Sequence, residues 1–470
     1  MIHYIITYAN EPGSYFDFDY YRQTHLPMGD ELLGSFGLVM SQLEDDGYVE
    51  PLRRRISENR SFLGICVALQ AFFEGSEETP GVAGLGILKG QVKRFSDPEL
   101  SVPHIGWNGI KLHKNCSLFN NYQEEKLYFV HSYHGTVQDV PEQWKLATTD
   151  YGEEFISAIC LGKVAAFQFH PEKSGDAGLS ILQRFLEDDQ IVVTPVADDV
   201  TGAKTTLAKR VIACLDVRSN DNGDLVVTKG DQYDVREEGE VRNLGKPVEL
   251  AHRYFHEGAD EITFLNITGF RDFPLSDQPM LDVLKQTSEK VFVPLTIGGG
   301  IREFTDSDGT FHSSLDVASE YFRSGADKIS IGSDAVYAAE KYVQEGKSDG
   351  SSSIEQISLV YGAQAVVISI DPYAQGRSSS SLSRRAATTE GYGSFAVVDY
   401  AASSENLNYV DRSRIAITGH SAGGNAAIRG ANYFGRQAQA RGEPSKLHSV
   451  FVSGYVLTLT DEVLGQVRSN

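Results

Sequence analysis

A cysteine at position 66 stands between two apolar segments in the stretch FLGICVALQAFFEG, residues 62–75. A strand that turns through G-x-C into a helix lifts the cysteine out of the sheet, and the helix amino terminus favours negative charge on the sulfur. A thiolate nucleophile still needs a general base. The stretch VAAFQFHPEKS, residues 164–174, offers His170 after a second apolar run, with Glu172 two residues on to orient the imidazole. Cys66, His170 and Glu172 are the residue types of a nucleophilic relay acting on a carbonyl carbon. Each alone has a plainer reading. A buried cysteine packs as a small hydrophobe, and a histidine behind a strand is commonly structural. Together they are more specific, because each supplies what the other lacks.

The elements that must position such groups are legible further along. Between 208 and 372, short Val- and Ile-rich runs recur as RVIACLDV, EITFLNIT, VFVPLTIGGG, DKISIGSD and AVVISIDP. Helical patterns such as PVELAHRYFHEGAD and LDVASEYFRSGAD lie between them. Buried strands alternating with helices predict a parallel sheet with crossover helices. Each run ends in Asp, Asn or Gly, and the carboxyl ends of strands are where a (β/α) barrel keeps its chemistry. Five such strands are visible, whereas a closed barrel has eight. An isolated Asp at a strand end also has a bland role, as a helix cap.

A chain of 470 residues exceeds one ordinary core, and two to four units are expected. The formal charge of −22 disfavours nucleic acid and anionic membranes as general partners. The first twenty residues do not read as a secretory signal. No long apolar window predicts a membrane span. Cys66, Cys116, Cys160 and Cys214 are scattered without metal-ligand spacing, which fits a reducing, cytoplasmic compartment. No metal and no cofactor is expected, and nothing specifies an oligomeric state. Residues 186–207 and the tract GRSSSSLSRRAATTEGY, 376–392, read as linkers.

The segments GICVALQ and FQFHPEKSG resemble triad-type glutamine amidotransferases. VPHIGWN (102–108) and YFVHSY (128–133) narrow the resemblance to the glutaminase half of imidazole glycerol phosphate synthase. LAKRVIACLDV, GDLVVTKGDQYDVRE, FLNIT, PLTIGGGI and GADKISIGSDAV resemble the cyclase half. Both halves in this order match the fused bifunctional form. The resemblance implies an α/β protein, a class I glutamine amidotransferase-like domain followed by a partial (β/α) barrel. It implies glutamine hydrolysis through a thioester, with ammonia passed to a cyclase. The cyclase acts on a phosphorylated ribotide to make imidazole glycerol phosphate and aminoimidazole carboxamide ribotide, in histidine biosynthesis. On the matching positions, Cys66 is the nucleophile, His170 the base and Glu172 its orienter. Gln70, His131, Ser132 and Tyr133 hold glutamine. Asp216 and Asp371 are the cyclase acid/base pair, Lys229 binds substrate, and Gly299, Gly300, Gly332 and Ser333 cradle a phosphate. The chemistry is sensible: two carboxylates on strand ends shuttle protons across one substrate, and Gly-rich backbone N–H groups wrap a phosphate.

The pattern departs from that family in places. Residues 1–34 resemble the start of an EthD-type domain, including His25, so the glutaminase lacks its opening strands and most of a glycine-rich oxyanion loop. Donors of that kind are worth roughly 3–4 kcal/mol of barrier. The elbow's usual last glycine is Ala68, whose methyl is expected to crowd the helix against the strand. After Asp371 the last three barrel strands are missing, which leaves sheet edges unpaired. Instead, DRSRIAITGHSAGGNAAIRGANYFGRQA, 411–438, resembles the nucleophile elbow of an α/β-hydrolase, with Ser421 in G-H-S-A-G and His448 the one histidine after it. The expected organisation is therefore 1–34 EthD-like, 35–190 amidotransferase, 208–375 half-barrel, 376–392 linker and 393–470 hydrolase-like. Two alternative functions stand beside the synthase: an inactive chimeric remnant that binds a phosphate, and a serine hydrolase acting through Ser421.

Overall fold

The computed structural model describes residues 35–97, 102–187, 190–195, 205–220, 222–228, 244–267, 279–306, 309–345 and 349–369. It also describes Leu100, Leu275 and short strands at 5–7, 236–237, 240–241, 415–420 and 447–453. The chain divides into two units, residues 1–208 and 209–470.

The first unit is built on a six-stranded mixed sheet. Strand β1 is Ile5–Thr7. Helix α1, Phe36–Asp45, buries Phe36, Val39, Met40 and Leu43, the one face that a 3.6-residue period allows. Helix α2 is Val49–Ser57 and buries Val49, Leu52 and Ile56. Strand β2, Phe62–Ile65, leads through Cys66 into the single turn α3, Val67–Gln70. Next come β3, His104–Asn108, β4, Lys111–Leu112, and β5, Leu127–His131. The six-stranded sheet is completed by β6, Lys145–Asp150, β7, Glu154–Leu161, and β8, Val164–Phe167; α4, Gly175–Glu187, follows. The sheet order is β1-β2-β8-β7-β6-β4, with β3 and β5 paired apart from it.

Strands β2 and β8 are buried at every position, so they read as unbroken apolar runs rather than alternating ones. Their side chains nevertheless alternate between two cores. Phe62 and Ala166 join Phe36, Met40 and Leu52 on one side, while Leu63, Ala165 and Phe167 join Phe129, Phe155 and Phe185 on the other. Strand β1 pairs antiparallel with β2 and covers that edge of the sheet. Part of the 186–207 stretch is ordered against this unit rather than a bare linker. Val193–Pro195 pairs with Lys114–Cys116, and the Ala208 amide donates to the Trp107 carbonyl at 2.7 Å.

The second unit carries β9, Arg210–Ser219, and β10, Leu225–Thr228, joined antiparallel. Then α5, Pro247–His256, precedes β11, Glu261–Asn266, and α6, Pro279–Ser288, precedes β12, Leu295–Gly298. Helix α7, Ser314–Arg323, leads to β13, Lys328–Ile331, and α8, Ser333–Glu345, and α9, Ser353–Tyr361, lead to β14, Val366–Ile368. Capping boxes, Ser313 with Asp316 and Ser352 with Glu355, start α7 and α9. Two later strands follow, β15, Ile415–His420, and β16, Leu447–Ser453. The order is β14-β13-β12-β11-β9-β16-β15, all parallel, with β10 at the side of β9.

One expectation is corrected here. The expected open edge at the first strand of the parallel sheet is not there. Val211 to Cys214 of β9 pair with Val450 to Ser453 of β16, so β9 has parallel neighbours on both sides. Unpaired backbone N–H and C=O groups on a buried strand are costly, and any available apolar strand relieves that cost.

Candidate active site

The geometry around Cys66 follows from one parallel pairing. Phe62 to Ile65 of β2 run in register with Val164 to Phe167 of β8, so the residues leaving both strands emerge at the same sheet end. The Cys66 amide donates to the Phe167 carbonyl at 2.7 Å. Cys66 adopts φ 55° and ψ −109°, a region an L-residue enters only when its surroundings impose it. The turn is possible because Gly64 has no side chain. A Cβ there would stand 3.2 Å from the Ala68 Cβ and 3.1 Å from that of Ala166. The Ala68 methyl thus occupies the room that Gly64 leaves, which answers the expected crowding.

His170 leaves β8 and is held at both ends. Its amide donates to the Tyr128 carbonyl at 2.8 Å, and its carbonyl accepts from the Ser174 hydroxyl at 2.5 Å. Ser174 Oγ in turn accepts from the Tyr128 amide at 2.9 Å, which explains the serine of HPEKS. The imidazole Nδ1 lies 2.7 Å from Glu172 Oε1. His170 is 1% exposed. Burial alone lowers its pKa, but the charges and hydrogen bonds of Glu172 and Cys66 outweigh that and raise it to about 10. At neutral pH this histidine is an imidazolium held between a carboxylate and a sulfur.

Gln168, absent from the sequence-derived candidates, is fully buried beside them. Its Nε2 donates to Cys66 Sγ at 3.5 Å, and Gln70 Nε2 donates to Gln168 Oε1 at 3.3 Å and to the Tyr133 carbonyl at 2.8 Å. Its signal in the sequence is a polar residue between Phe167 and Phe169. His131 is also turned inward. Its Nδ1 meets the same Tyr133 carbonyl at 2.9 Å, and its Nε2 meets His104 Nδ1 at 3.2 Å. His104 is fully buried, stacked on Tyr151 with ring centroids 4.0 Å apart. Burial is the main cause that lowers the His131 pKa, to about 3, so this imidazole stays neutral.

In the second unit, Asp216 is buried near the carboxyl end of β9, opposite Thr228 of β10 and Leu265 of β11. Gly299 and Gly300 follow β12 with φ of 90° and 76°. A Cβ on Gly299 would lie 2.0 Å from the Asn266 carbonyl oxygen, so only glycine lets these strand ends approach. Gly332 follows β13, and Ser333 begins α8. Leu265 pairs with Gly298, and Gly298 with Ser330, which brings Asp216, the Gly299–Gly300 turn and Gly332 to one end of the sheet. Lys229, Asp371, Ser421 and His25 lie outside the described residues; His448 lies in β16.

The opposite end of that sheet holds charges the motifs do not announce. Arg210 and Lys328 both pair with Glu261, the latter at 2.7 Å, and Glu261 and Lys328 are fully buried. Burial opposes charge on both. The two cations nevertheless lower the Glu261 pKa, while burial outweighs Glu261 and lowers that of Lys328. A charge at the first residue of three of these strands, R-VIACLDV, E-ITFLNIT and K-ISIG, was the available sign.

The glutamine amidotransferase class-I family matches residues 41–188, and the histidine biosynthesis protein family matches 210–418. The second match runs past Asp371 and into β15. Imidazole glycerol phosphate synthase hisHF of Arabidopsis thaliana, a chloroplastic protein, is 57% identical over 344 residues, 72% of this chain and 58% of that one. The hisHF protein of Schizosaccharomyces pombe is 54% identical, covering 73% of this chain and 65% of its own. The HisH subunit of Methanocaldococcus jannaschii is 44% identical over 156 residues, 33% of this chain and 76% of that subunit. The chain belongs to the imidazole glycerol phosphate synthase family. It carries that family's amidotransferase and histidine-biosynthesis domains on one polypeptide, and it spans 58–65% of the length of the fused relatives it matches. No helix among the described residues is long and apolar enough to cross a membrane, and no group of metal-ligating side chains is found among them.

Proposed function

We propose that the chain is an imidazole glycerol phosphate synthase that hydrolyses glutamine in its first unit and cyclises a phosphorylated ribotide in its second. The observation that carries the reading is the pairing of β2 with β8, which sets Cys66 beside an imidazole 2.7 Å from a carboxylate. In the proposed reaction the Cys66 sulfur attacks the glutamine carboxamide carbon. The C–N bond breaks as His170 gives its proton to the departing nitrogen, and ammonia leaves a thioester. Water, deprotonated by His170, then releases glutamate and restores the thiol pair. Glu172 holds the imidazole in the tautomer that faces sulfur. Gln70, Ser132 and Tyr133 are proposed to line the glutamine site, with His131 acting through its backbone.

For the second unit, Asp216 and Asp371 are proposed as the proton-transferring pair, Lys229 as a substrate contact, and Gly299, Gly300, Gly332 and Ser333 as a phosphate cradle. Proposed boundaries are 35–190 and 208–375 for the two domains, with 1–34 EthD-like, 376–392 a linker and 393–470 hydrolase-like. The four cysteines are not joined in disulfides, and the compartment is proposed to be the cytoplasm.

The test is glutamate release by purified full-length chain, with and without the ribotide, against Cys66→Ser. Glutamine hydrolysis that vanishes in the variant supports the reading. Equal inertness of the two proteins overturns it.

A further inference from the structure

We propose that Gln168 is a positioning residue that holds and polarises the Cys66 sulfur through its side-chain amide, with Gln70 and the Tyr133 carbonyl setting the direction of that amide. This rests on the reading of Cys66 as the glutaminase nucleophile and adds a residue that the triad does not contain.

The direction of the amide follows from a group that cannot be reversed. A backbone carbonyl only accepts hydrogen bonds. Gln70 must therefore present its nitrogen to the Tyr133 oxygen, 2.8 Å away. The same NH2 group has a second hydrogen, and it reaches Gln168 Oε1 at 3.3 Å. Gln168 is thereby turned with its oxygen toward Gln70 and its nitrogen toward sulfur, at 3.5 Å. The Tyr133 oxygen accepts a second bond from His131 Nδ1 at 2.9 Å, and His131 is kept neutral by burial. Behind it, the His131 Nε2 accepts from His104 Nδ1, and His104 Nε2 stands 3.5 Å from Asn108 Nδ2. The Gln70 amide is fixed by a carbonyl that only accepts, so the Gln168 amide has one orientation.

An amide N–H on sulfur favours the anion over the neutral thiol, because hydrogen bonds to a charged acceptor are the stronger ones. Gln168 is fully buried, which removes water as a substitute donor. The same sulfur also interacts with the His170 imidazole by charge and hydrogen bonding, so the Gln168 amide and the imidazole act on one atom. The amide moves no proton. Its effect is to keep the sulfur charged and aimed before it attacks the carboxamide carbon.

The test reads the sulfur directly, without glutamine. Thiolate ultraviolet absorbance and iodoacetamide alkylation are followed against pH in the full chain, with Cys66→Ser as the blank. Gln168→Leu is expected to slow alkylation at neutral pH by about tenfold, the worth of one hydrogen bond to a charged group. It is also expected to move the thiolate midpoint to higher pH. Gln168→Glu keeps the shape but replaces a donor by an acceptor, so its shift is expected to be larger. Gln70→Leu, which frees the Gln168 amide to turn, is expected to shift the midpoint the same way by less, and it decides the matter if neither Gln168 variant folds. An unchanged midpoint and alkylation rate in folded variants overturns the proposal. The two readings separate cleanly: shifted sulfur titration in a chain that never releases glutamate supports the role of Gln168 and sinks the glutaminase, and unshifted titration in an active glutaminase does the reverse.

Discussion

The backbone amide of Cys66 donates to the carbonyl of Phe167 at 2.7 Å, and this one bond fastens the strained elbow to the strand that delivers His170. Cys66 and His170 are thus coupled through the sheet, and disturbing either strand disturbs both.

Removing the Glu172 charge should be felt at His170. Glu172→Gln takes away the largest cause that raises the imidazole pKa, so burial gains weight and the pKa falls from about 10. Glutamate release is expected to drop by roughly a hundredfold, since the proton transfer loses its oriented partner. Ring resonances of His170 followed by NMR against pH should show the lower midpoint; an unmoved midpoint counts against the pairing.

Stability should respond to pH in two opposite ways. The His170 pKa is raised in the folded chain, from an ordinary 6.5 to about 10. Its contribution is full below pH 6.5 and is lost as pH rises toward 10. The His131 pKa is depressed to about 3, so its contribution is present above pH 6.5 and is lost as pH falls toward 3. Denaturant unfolding of the full chain across this range should show stability declining on both sides of neutrality. His170→Asn should flatten the alkaline limb and leave the acid limb in place.

Gly64 is expected to tolerate no side chain without loss. Gly64→Ala places a methyl 3.1–3.2 Å from those of Ala166 and Ala68, in a sheet buried on both faces. Overpacking of this kind costs about 1–3 kcal/mol. The same variant should alkylate at Cys66 more slowly, because α3 is pushed from the strand. Thermal unfolding and alkylation that both match wild type would remove this account of the elbow.

The buried charges of the second unit make an asymmetric prediction. Glu261→Met removes the carboxylate that both Lys328 and Arg210 pair with and should destabilise this unit by about 3–5 kcal/mol. Adding Lys328→Met removes one of the two cations and should recover part of that loss. The measurement is urea unfolding of the three proteins. A double variant less stable than the single one contradicts the ion-pair reading.

Much of this was written in the chain itself. FLGI and VAAF declare buried strands because every position is apolar, and RVIACLDV, EITFLNIT and their successors declare a parallel sheet by the same sign. GIC and HPE point by type and spacing to Cys66, His170 and Glu172 as candidates, and the observed Nδ1 to Oε1 contact of His170 with Glu172 is local enough to be foreseen. What tertiary structure alone decided is non-local. Nothing in either segment says that β2 lies beside β8 in parallel register, and that register is what brings sulfur and imidazole to one end of the sheet. Nor could spacing reveal Gln168, Gln70 and His131 converging through the Tyr133 carbonyl, or β16 pairing with the open side of β9. Hydrophobic periodicity is a property of neighbours along the chain, whereas strand partners and hydrogen-bond direction are settled only when distant backbone groups compete for the same few acceptors.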